Sequence, residues 1–127
     1  MNEAKENIIV SKSYSFALKV IEVYKFLIGT KKEFVLSKQF LRCGTSIGAN
    51  IHEAIGSESK KDFIHKLGIA LKEARETSYG IRLLSDSQFI TQEQATNLNS
   101  NCEEIIRILN SIILTTKERY FQNIHNS

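Results

Sequence analysis

Residues 42–63, RCGTSIGANIHEAIGSESKKDF, decide the fold of this 127-residue chain. On a helix of about 100° per residue, one sector that also contains Gly44 and Gly48 holds the apolar residues Leu36, Phe40, Ile47, Ile51, Ala54 and Ile55. Glycine inside a helix costs about 1 kcal/mol relative to alanine. Two glycines on the buried face therefore predict that another helix packs closely there.

The same stretch contains a junction between two helices. Gly56 with Ser57 forms a helix end, and Ser59 to Asp62 matches a capping box, whose side chains satisfy free backbone donors. Phe63 then opens a new apolar row at helical spacing. We therefore predict that a new helix begins at Ser59.

Apolar periodicity outside this stretch predicts four helices in all, at about 13–29, 35–56, 59–85 and 91–121. Thr91 to Gln94 forms a second capping box, and residues 122–127 have no period and are expected to fray. Proline is absent. Because short connections make consecutive helices antiparallel neighbours, we predict an all-α single domain over 1–127, an antiparallel up-down-up-down four-helix bundle.

Charge and cysteine content limit the function classes. Lys and Arg number 17 against 14 Asp and Glu, a net charge of +3 that permits a nucleic-acid partner without requiring one. Cys43 and Cys102 lack the spacing of a disulfide framework or a thiolate metal site. No apolar run matches a signal peptide or a membrane span. We expect a soluble, cytoplasmic protein.

The fourth helix has more apolar surface than one core needs. Residues 105–113 spread their apolar side chains over an arc of about 160°, against the roughly 100° that suffices for a single core. Leu114, Ile69 and Leu83 also lie off the main stripe of their helices. We predict self-association; the alternative is a broad face covered entirely within one bundle.

Catalytic motifs are incomplete. His52-Glu53 resembles the start of a zinc-binding His-Glu-x-x-His helix, but position 56 is glycine. The segment Gly44–Gly48 lacks the Gly-Lys-Ser/Thr ending of a phosphate loop, and neither Ser46 nor Cys43 has a base partner at motif spacing. We expect no metal, no cofactor and no enzymatic activity.

Polar residues on the second helix are interpreted as structural. Asn50 and Glu53 lie near Arg42 on its polar side, but Arg42 and Glu53 are three turns apart and cannot pair. We expect Glu53 to meet a lysine of the capped junction or of another subunit, in preference to a role as a catalytic acid.

Basic residues gather between Thr30 and Lys66, where seven positive charges face four acidic ones. In an oligomer this excess would be repeated around a symmetry axis, giving a surface for phosphate backbones. The candidate contacts are Lys38, Arg42, Lys60, Lys61 and Lys66. In a single subunit, solvated surface lysines explain the same pattern.

Several segments together resemble the four-helix bundle family associated with intervening sequences in 23S ribosomal RNA genes. They are Leu41-Arg42, Thr45–Ile51, Glu53-Ala54, Ser59–Ile64 and Ile69–Leu71, with Lys12–Ala17 near the start. Matching positions are Arg42, Asn50, Glu53, Ser59, Lys60 and Phe63. The family pattern has Glu-Gly where this chain has Glu53-Ala54, and His52 is a further departure.

The resemblance implies an antiparallel four-helix bundle and no enzyme. Related accessory proteins of diversity-generating retroelements imply a ring-like homopentamer with a basic face for nucleic acid. Our leading hypothesis is a non-catalytic homo-oligomer that binds RNA or DNA through backbone electrostatics. The alternative is a protein-interaction adaptor, whose apolar helix faces bind a partner and whose charges serve solubility.

Overall fold

The computed structural model describes residues 3–126 of the chain, with side chains up to residue 123. Four helices account for nearly all of this range, with no strand among the described residues. They are α1 (Glu3–Gly29), α2 (Leu36–Ile55), α3 (Lys60–Asp86) and α4 (Gln92–Asn126). The chain is therefore all-α, as its sequence pattern predicts.

Each helix packs against the next one in the chain, and α4 closes the bundle against α1. Across the α1–α4 seam, residue numbers rise on one helix as they fall on the other. The contacts are Lys5 with Ser111 at 2.8 Å, Lys12 with Glu104 at 2.9 Å and Lys19 with Asn97 at 3.5 Å. Because Ser13 and Val20 likewise face Gly48 and Gly44 in reversed order, neighbouring helices are antiparallel.

One apolar core runs through the bundle and receives side chains from all four helices. Its largest fully buried members are Phe16, Phe40, Ile9, Leu27, Ile47, Ile51, Leu67, Ile81, Leu84, Ile105, Leu109 and Ile112. Phe63, at the start of α3, is also buried. Burial of this apolar surface is the main force holding the helices together.

The α1–α2 contact depends on the small residues predicted to lie on a packed face. A Cβ atom added to Gly44 would lie 2.7 Å from Val20 Cγ2. At Gly48 an added Cβ would lie 3.5 Å from the backbone oxygen of Ser13, which is ordinary contact. The close approach is thus present at both glycines, but only Gly44 has no room for a methyl group.

Both predicted capping positions satisfy backbone donors. The Ser59 hydroxyl accepts a hydrogen bond from the Asp62 N–H at 3.0 Å. At the start of α4, Thr91 Oγ1 accepts from the Gln94 N–H at 3.1 Å, and Gln94 Oε1 accepts from the Thr91 N–H at 2.8 Å. These bonds explain why α3 and α4 begin where they do.

The start of α2 is capped by a residue that the sequence reasoning did not identify. The Glu33 carboxylate accepts hydrogen bonds from the N–H groups of Val35, Leu36 and Ser37 at 3.2, 3.0 and 2.7 Å. Burial acts to raise the pKa of Glu33, but these backbone hydrogen bonds outweigh it and the pKa is lowered. A negative charge there also complements the helix dipole.

The ends of the outer helices differ from the prediction. Helix α1 begins at Glu3, ten residues before the predicted start at Ser13. Ser13 is buried inside the helix, where its hydroxyl donates to the Val10 carbonyl at 3.1 Å. Helix α4 continues to Asn126, so its predicted end at 121 is wrong, and Ser127 lies outside the described residues.

Candidate interaction surfaces

Arg42, a predicted nucleic-acid contact, is engaged in ion pairs with α3. Its guanidinium lies 3.3 Å from Glu73 Oε2 and 3.2 Å from Glu76 Oε2. The charge of Glu73 is the main cause of a raised pKa at Arg42. Since the Glu73 side chain is only 12% exposed, Arg42 chiefly neutralises acids in the α2–α3 seam.

Lys66 and Glu53 form a second ion pair across the same seam, 3.2 Å apart. Glu53 therefore meets a lysine, as predicted, but this lysine lies about two turns into α3 and not in the capped junction, and Glu53 does not pair with Arg42. Asn50 donates a hydrogen bond from Nδ2 to the Ser46 carbonyl at 2.8 Å. These polar groups of α2 serve the helix and its contact with α3.

The other three predicted contacts, Lys38, Lys60 and Lys61, are exposed and form no ion pair within the described residues. They do not form one patch. Lys60 lies beside Ile55 at the end of α2, whereas Lys38 is near its start, about 26 Å away along the helix axis. The length of α2 separates Lys38 at its start from Lys60, which follows its end.

The most continuous exposed apolar surface lies on α1, where Val10, Tyr14 and Leu18 are 39, 66 and 47% exposed. Ala17 and Ile21 flank them and are half-buried. No charged residue interrupts this outward row between positions 10 and 21, although Lys12 and Lys19 lie on the α4-facing flank.

Helix α2 extends this surface. Ser13 and Val20 face Gly48 and Gly44, so the next positions around α1 lie at the outer edge of the α1–α2 seam. On α2, Leu41 and Thr45 occupy the corresponding outer positions and are half-buried. We call the set Val10, Tyr14, Ala17, Leu18, Ile21, Leu41 and Thr45 the α1–α2 face.

The broad apolar arc predicted on α4 is mostly used inside the bundle. Ile105, Leu109 and Ile112 are buried. The flanking residues Ile106, Ile108 and Ile113 pack partly against the same core. Leu114 remains 61% exposed and Leu83 38% exposed. Surplus apolar surface therefore exists, but its longest exposed row is on α1, where the sequence analysis did not predict it.

The two cysteines and Ser46 have structural contacts that do not activate them as nucleophiles. Cys43 and Cys102 are buried, and burial is the main cause of the raised pKa of each thiol, to about 12 at Cys102. The Cys102 thiol donates to the Ala74 carbonyl at 3.2 Å, and the Ser46 hydroxyl donates to the Arg42 carbonyl at 2.6 Å. A thiol kept protonated in this way is a poor nucleophile.

The described residues contain neither a candidate metal site nor a helix suited to span a membrane. Among them, no three His, Cys, Asp or Glu side chains are grouped so that they could hold a metal ion. None of the helices within residues 3–126 has the length and apolar character needed to cross a membrane.

The chain matches the family model described as 23S rRNA-intervening sequence protein over residues 5–111. The chain belongs to this family. A solved structure, titled as a protein with unknown function from the S23 ribosomal protein family of Bacteroides thetaiotaomicron VPI-5482, is 52% identical. The similarity covers 86% of this chain and 97% of that one, with a TM-score of 0.85. No curated protein matches the chain.

Family membership agrees with the resemblance on which the fold prediction partly rested. The matched range contains the whole of α2 and α3 and most of α1 and α4. It therefore includes the α1–α2 face and every predicted basic contact. The family name associates these proteins with 23S rRNA intervening sequences, and the solved relative is described as having unknown function.

Proposed function

We propose that this protein is a non-catalytic helical bundle that associates with copies of itself and binds RNA or DNA through the phosphate backbone. The observation that carries the proposal is the α1–α2 face, an uncharged surface with Tyr14 and Leu18 exposed by 66 and 47%. Contiguous exposed apolar side chains of this kind are typical of protein interfaces. The assembly that the family resemblance implies is a ring of five copies.

Nucleic-acid binding is supported by the cations left free of ion pairs and by the family's association with an RNA. Lys38, Lys60 and Lys61 are exposed and unpaired among the described residues. A ring would repeat these lysines around its axis and so raise the local positive potential. Binding of this kind uses phosphates, does not distinguish bases, and weakens steeply with added salt.

Light scattering of the purified 14.5 kDa chain tests the association. We expect a mass several times that of one chain, and Leu18→Glu should reduce it by placing a charge in the interface. Leu114→Glu is the matched control, because Leu114 is similarly exposed at 61% but lies on α4. A wild-type monomer, or a Leu18→Glu variant that assembles like the control, would contradict the proposed interface.

A salt titration of oligonucleotide binding tests the second half of the proposal. The logarithm of affinity should fall linearly with the logarithm of salt concentration. Reversing Lys60 and Lys61 to glutamate should weaken binding. Affinity indifferent to salt would rule out backbone electrostatics as the source of binding.

The second candidate function is a protein-interaction adaptor. It is favoured by exposed apolar side chains outside the α1–α2 face, namely Tyr79, Leu114 and Phe121 at 64, 61 and 57%. Affinity capture with and without nuclease separates the two functions. Proteins retained after nuclease treatment support the adaptor, and proteins lost with the RNA or DNA support the nucleic-acid binder.

A further inference from the structure

The outer face of α3 carries a row of basic residues that the predicted contact set did not include, apart from Lys61. Successive members are separated by four and then three residues in turn, so they lie in line along the helix. They are Lys61, His65, Gly68, Lys72, Arg75, Tyr79 and Arg82, and all seven are exposed. We call them the α3 basic row; it has four permanent cations and no acid.

Three of the four cations in the row, namely Lys61, Lys72 and Arg75, form no ion pair among the described residues. The acids Glu73 and Glu76 lie on the side of α3 that faces α2, where both pair with Arg42. Asp86 pairs with Arg82 at 3.7 Å and compensates part of its charge, but the two side chains are 74 and 82% exposed, so solvent screens the pair. The row therefore keeps a net positive charge that faces solvent.

A groove of about 670 Å³ between α3 and α4 runs beside the row. Arg75, Tyr79 and Arg82 line its α3 side. Neutral hydrogen-bonding side chains, including Gln92 and Asn99, line its α4 side. The groove thus combines two cations and one acid, Asp86, with an aromatic ring and uncharged donors and acceptors.

We propose that the α3 basic row and this groove bind a single-stranded nucleic acid. The inference rests on the proposed function and assigns its nucleic-acid contacts and its strand type. From Lys61 to Arg82 the row is about 32 Å long. Single-strand modules that hold about 4–16 nucleotides combine a basic track with an aromatic platform for the bases.

Each part of the surface matches a part of the ligand. Arg75 and Arg82 lie four and three residues from Tyr79, so their guanidiniums can contact successive phosphates while a base stacks on the Tyr79 ring, which is 64% exposed. Gly68 has no atom within 4 Å of an added Cβ, so nothing obstructs a backbone there. An acidic peptide would use the cations but has no base to stack on the ring.

Fluorescence anisotropy with labelled oligouridine, oligothymidine and a duplex, each about 15 nucleotides long, tests the assignment. The double variant Arg75→Ala/Arg82→Ala should bind single strands at least about tenfold more weakly, with a salt slope smaller by about 1.4. Lys25→Ala/Lys117→Ala removes the same charge from exposed lysines on α1 and α4, outside both the row and the candidate contacts of the proposed function, and is the matched control. The affinity of this control for single strands should fall by less than about twofold, since its substitutions remove only the long-range part of the attraction.

The aromatic contact has its own test. Tyr79→Ala should weaken single-strand binding by about fivefold or more, since one base stack is worth about 1–3 kcal/mol. Tyr79→Phe keeps the ring and should bind like the wild type, and neither change should affect duplex binding. Polyglutamate should compete at least about tenfold more weakly than an oligonucleotide of equal charge. All variants change exposed side chains, and circular dichroism checks their fold.

The outcomes separate this inference from the function on which it rests. A wild-type protein that binds none of the three oligonucleotides refutes the nucleic-acid function itself. Two outcomes overturn only the assignment to the α3 basic row. In the first, the wild type binds but the two double variants lose affinity equally. In the second, Arg75→Ala/Arg82→Ala keeps the wild-type affinity. Equal competition by polyglutamate overturns the ligand class in favour of an acidic protein. Binding of either oligouridine or oligothymidine, with the Tyr79→Ala loss, supports the assignment.

Discussion

A methyl group at position 44 should destabilise the bundle, although alanine is normally the better helix residue. A Cβ atom at this position would lie 2.7 and 2.8 Å from the two γ-methyl groups of Val20 and 3.3 Å from its Cβ. Because valine is stiff at χ1 and both methyl groups are in the way, no single rotation relieves the contact. Helices α1 and α2 must instead move apart.

The size of the effect follows from two opposing terms. Overpacking a well-packed contact costs about 1–3 kcal/mol, and replacing a helical glycine by alanine returns about 1 kcal/mol. The net loss for Gly44→Ala is therefore about 1 kcal/mol. For a chain of this length, unfolding entropies of about 2.1 cal/mol/K per residue convert that loss into a Tm lower by about 4 °C.

Two other glycines provide matched controls. An added Cβ at Gly68 meets nothing within 4 Å. Gly68→Ala should therefore gain the whole difference in helix propensity between glycine and alanine, and its Tm should rise by about 4 °C. At Gly48 the nearest atom lies at 3.5 Å, so Gly48→Ala should be neutral or slightly stabilising. The same substitution thus has opposite signs in one protein, according to the space available.

Thermal unfolding followed by circular dichroism measures these shifts. All variants are compared at one protein concentration, because association would add to the apparent stability. Urea titrations check that the slope of the transition is unchanged. A Gly44→Ala variant that melts as high as Gly68→Ala would refute the claim that a close α1–α2 contact requires glycine at this position.

Glu33→Ala should cost about 1 kcal/mol at neutral pH by removing the α2 cap. The folded pKa of Glu33 is lowered from 4.5, so the charged cap contributes its stability above that value and loses it as pH falls through the folded pKa. Urea titrations at low pH should therefore show the unfolding free energy of the wild type approaching that of Glu33→Gln. A difference between the two that stays constant with pH would contradict this. Neither Cys43 nor Cys102 should react with a thiol reagent at mildly alkaline pH until the protein unfolds, because burial raises both pKa values; fast labelling of the native protein would argue against it. Arg42→Ala should destabilise the protein more than Lys66→Ala, because Arg42 pairs with the largely buried Glu73, whereas Glu53, the partner of Lys66, is 59% exposed. Chemical denaturation that ranks the two variants in reverse would contradict a stabilising role of Arg42 in the α2–α3 seam.

Much of the architecture is predictable from local patterns. The capping bonds at Ser59 and Thr91 depend on residues three positions apart, so the starts of α3 and α4 can be read directly from the sequence. The glycines on the apolar sector of α2 likewise indicate a close helix contact. The start of α1 was misplaced because the apolar period was followed only from residue 13, whereas Ile9, four residues earlier, already packs in the core.

The candidate surfaces were harder to predict, since they depend on which side chains meet across the bundle. A +3 excess between residues 30 and 66 suggested one basic patch. The fold instead places Lys38 and Lys60 at opposite ends and pairs Arg42 and Lys66 with acids. A helical projection of α3 would have revealed the row from Lys61 to Arg82, because its members keep the helical period.

The sequence alone determined the helical class, the number of helices and the caps that begin α3 and α4, because apolar periodicity and capping bonds act over a few residues. Only the tertiary structure decided which charges are neutralised and which face solvent. Ion pairing depends on distances of a few ångströms between different helices, and packing two antiparallel helices together sets those distances. For this reason Arg42 became a seam residue, and the cations from Lys61 to Arg82 on α3 became an exposed basic row.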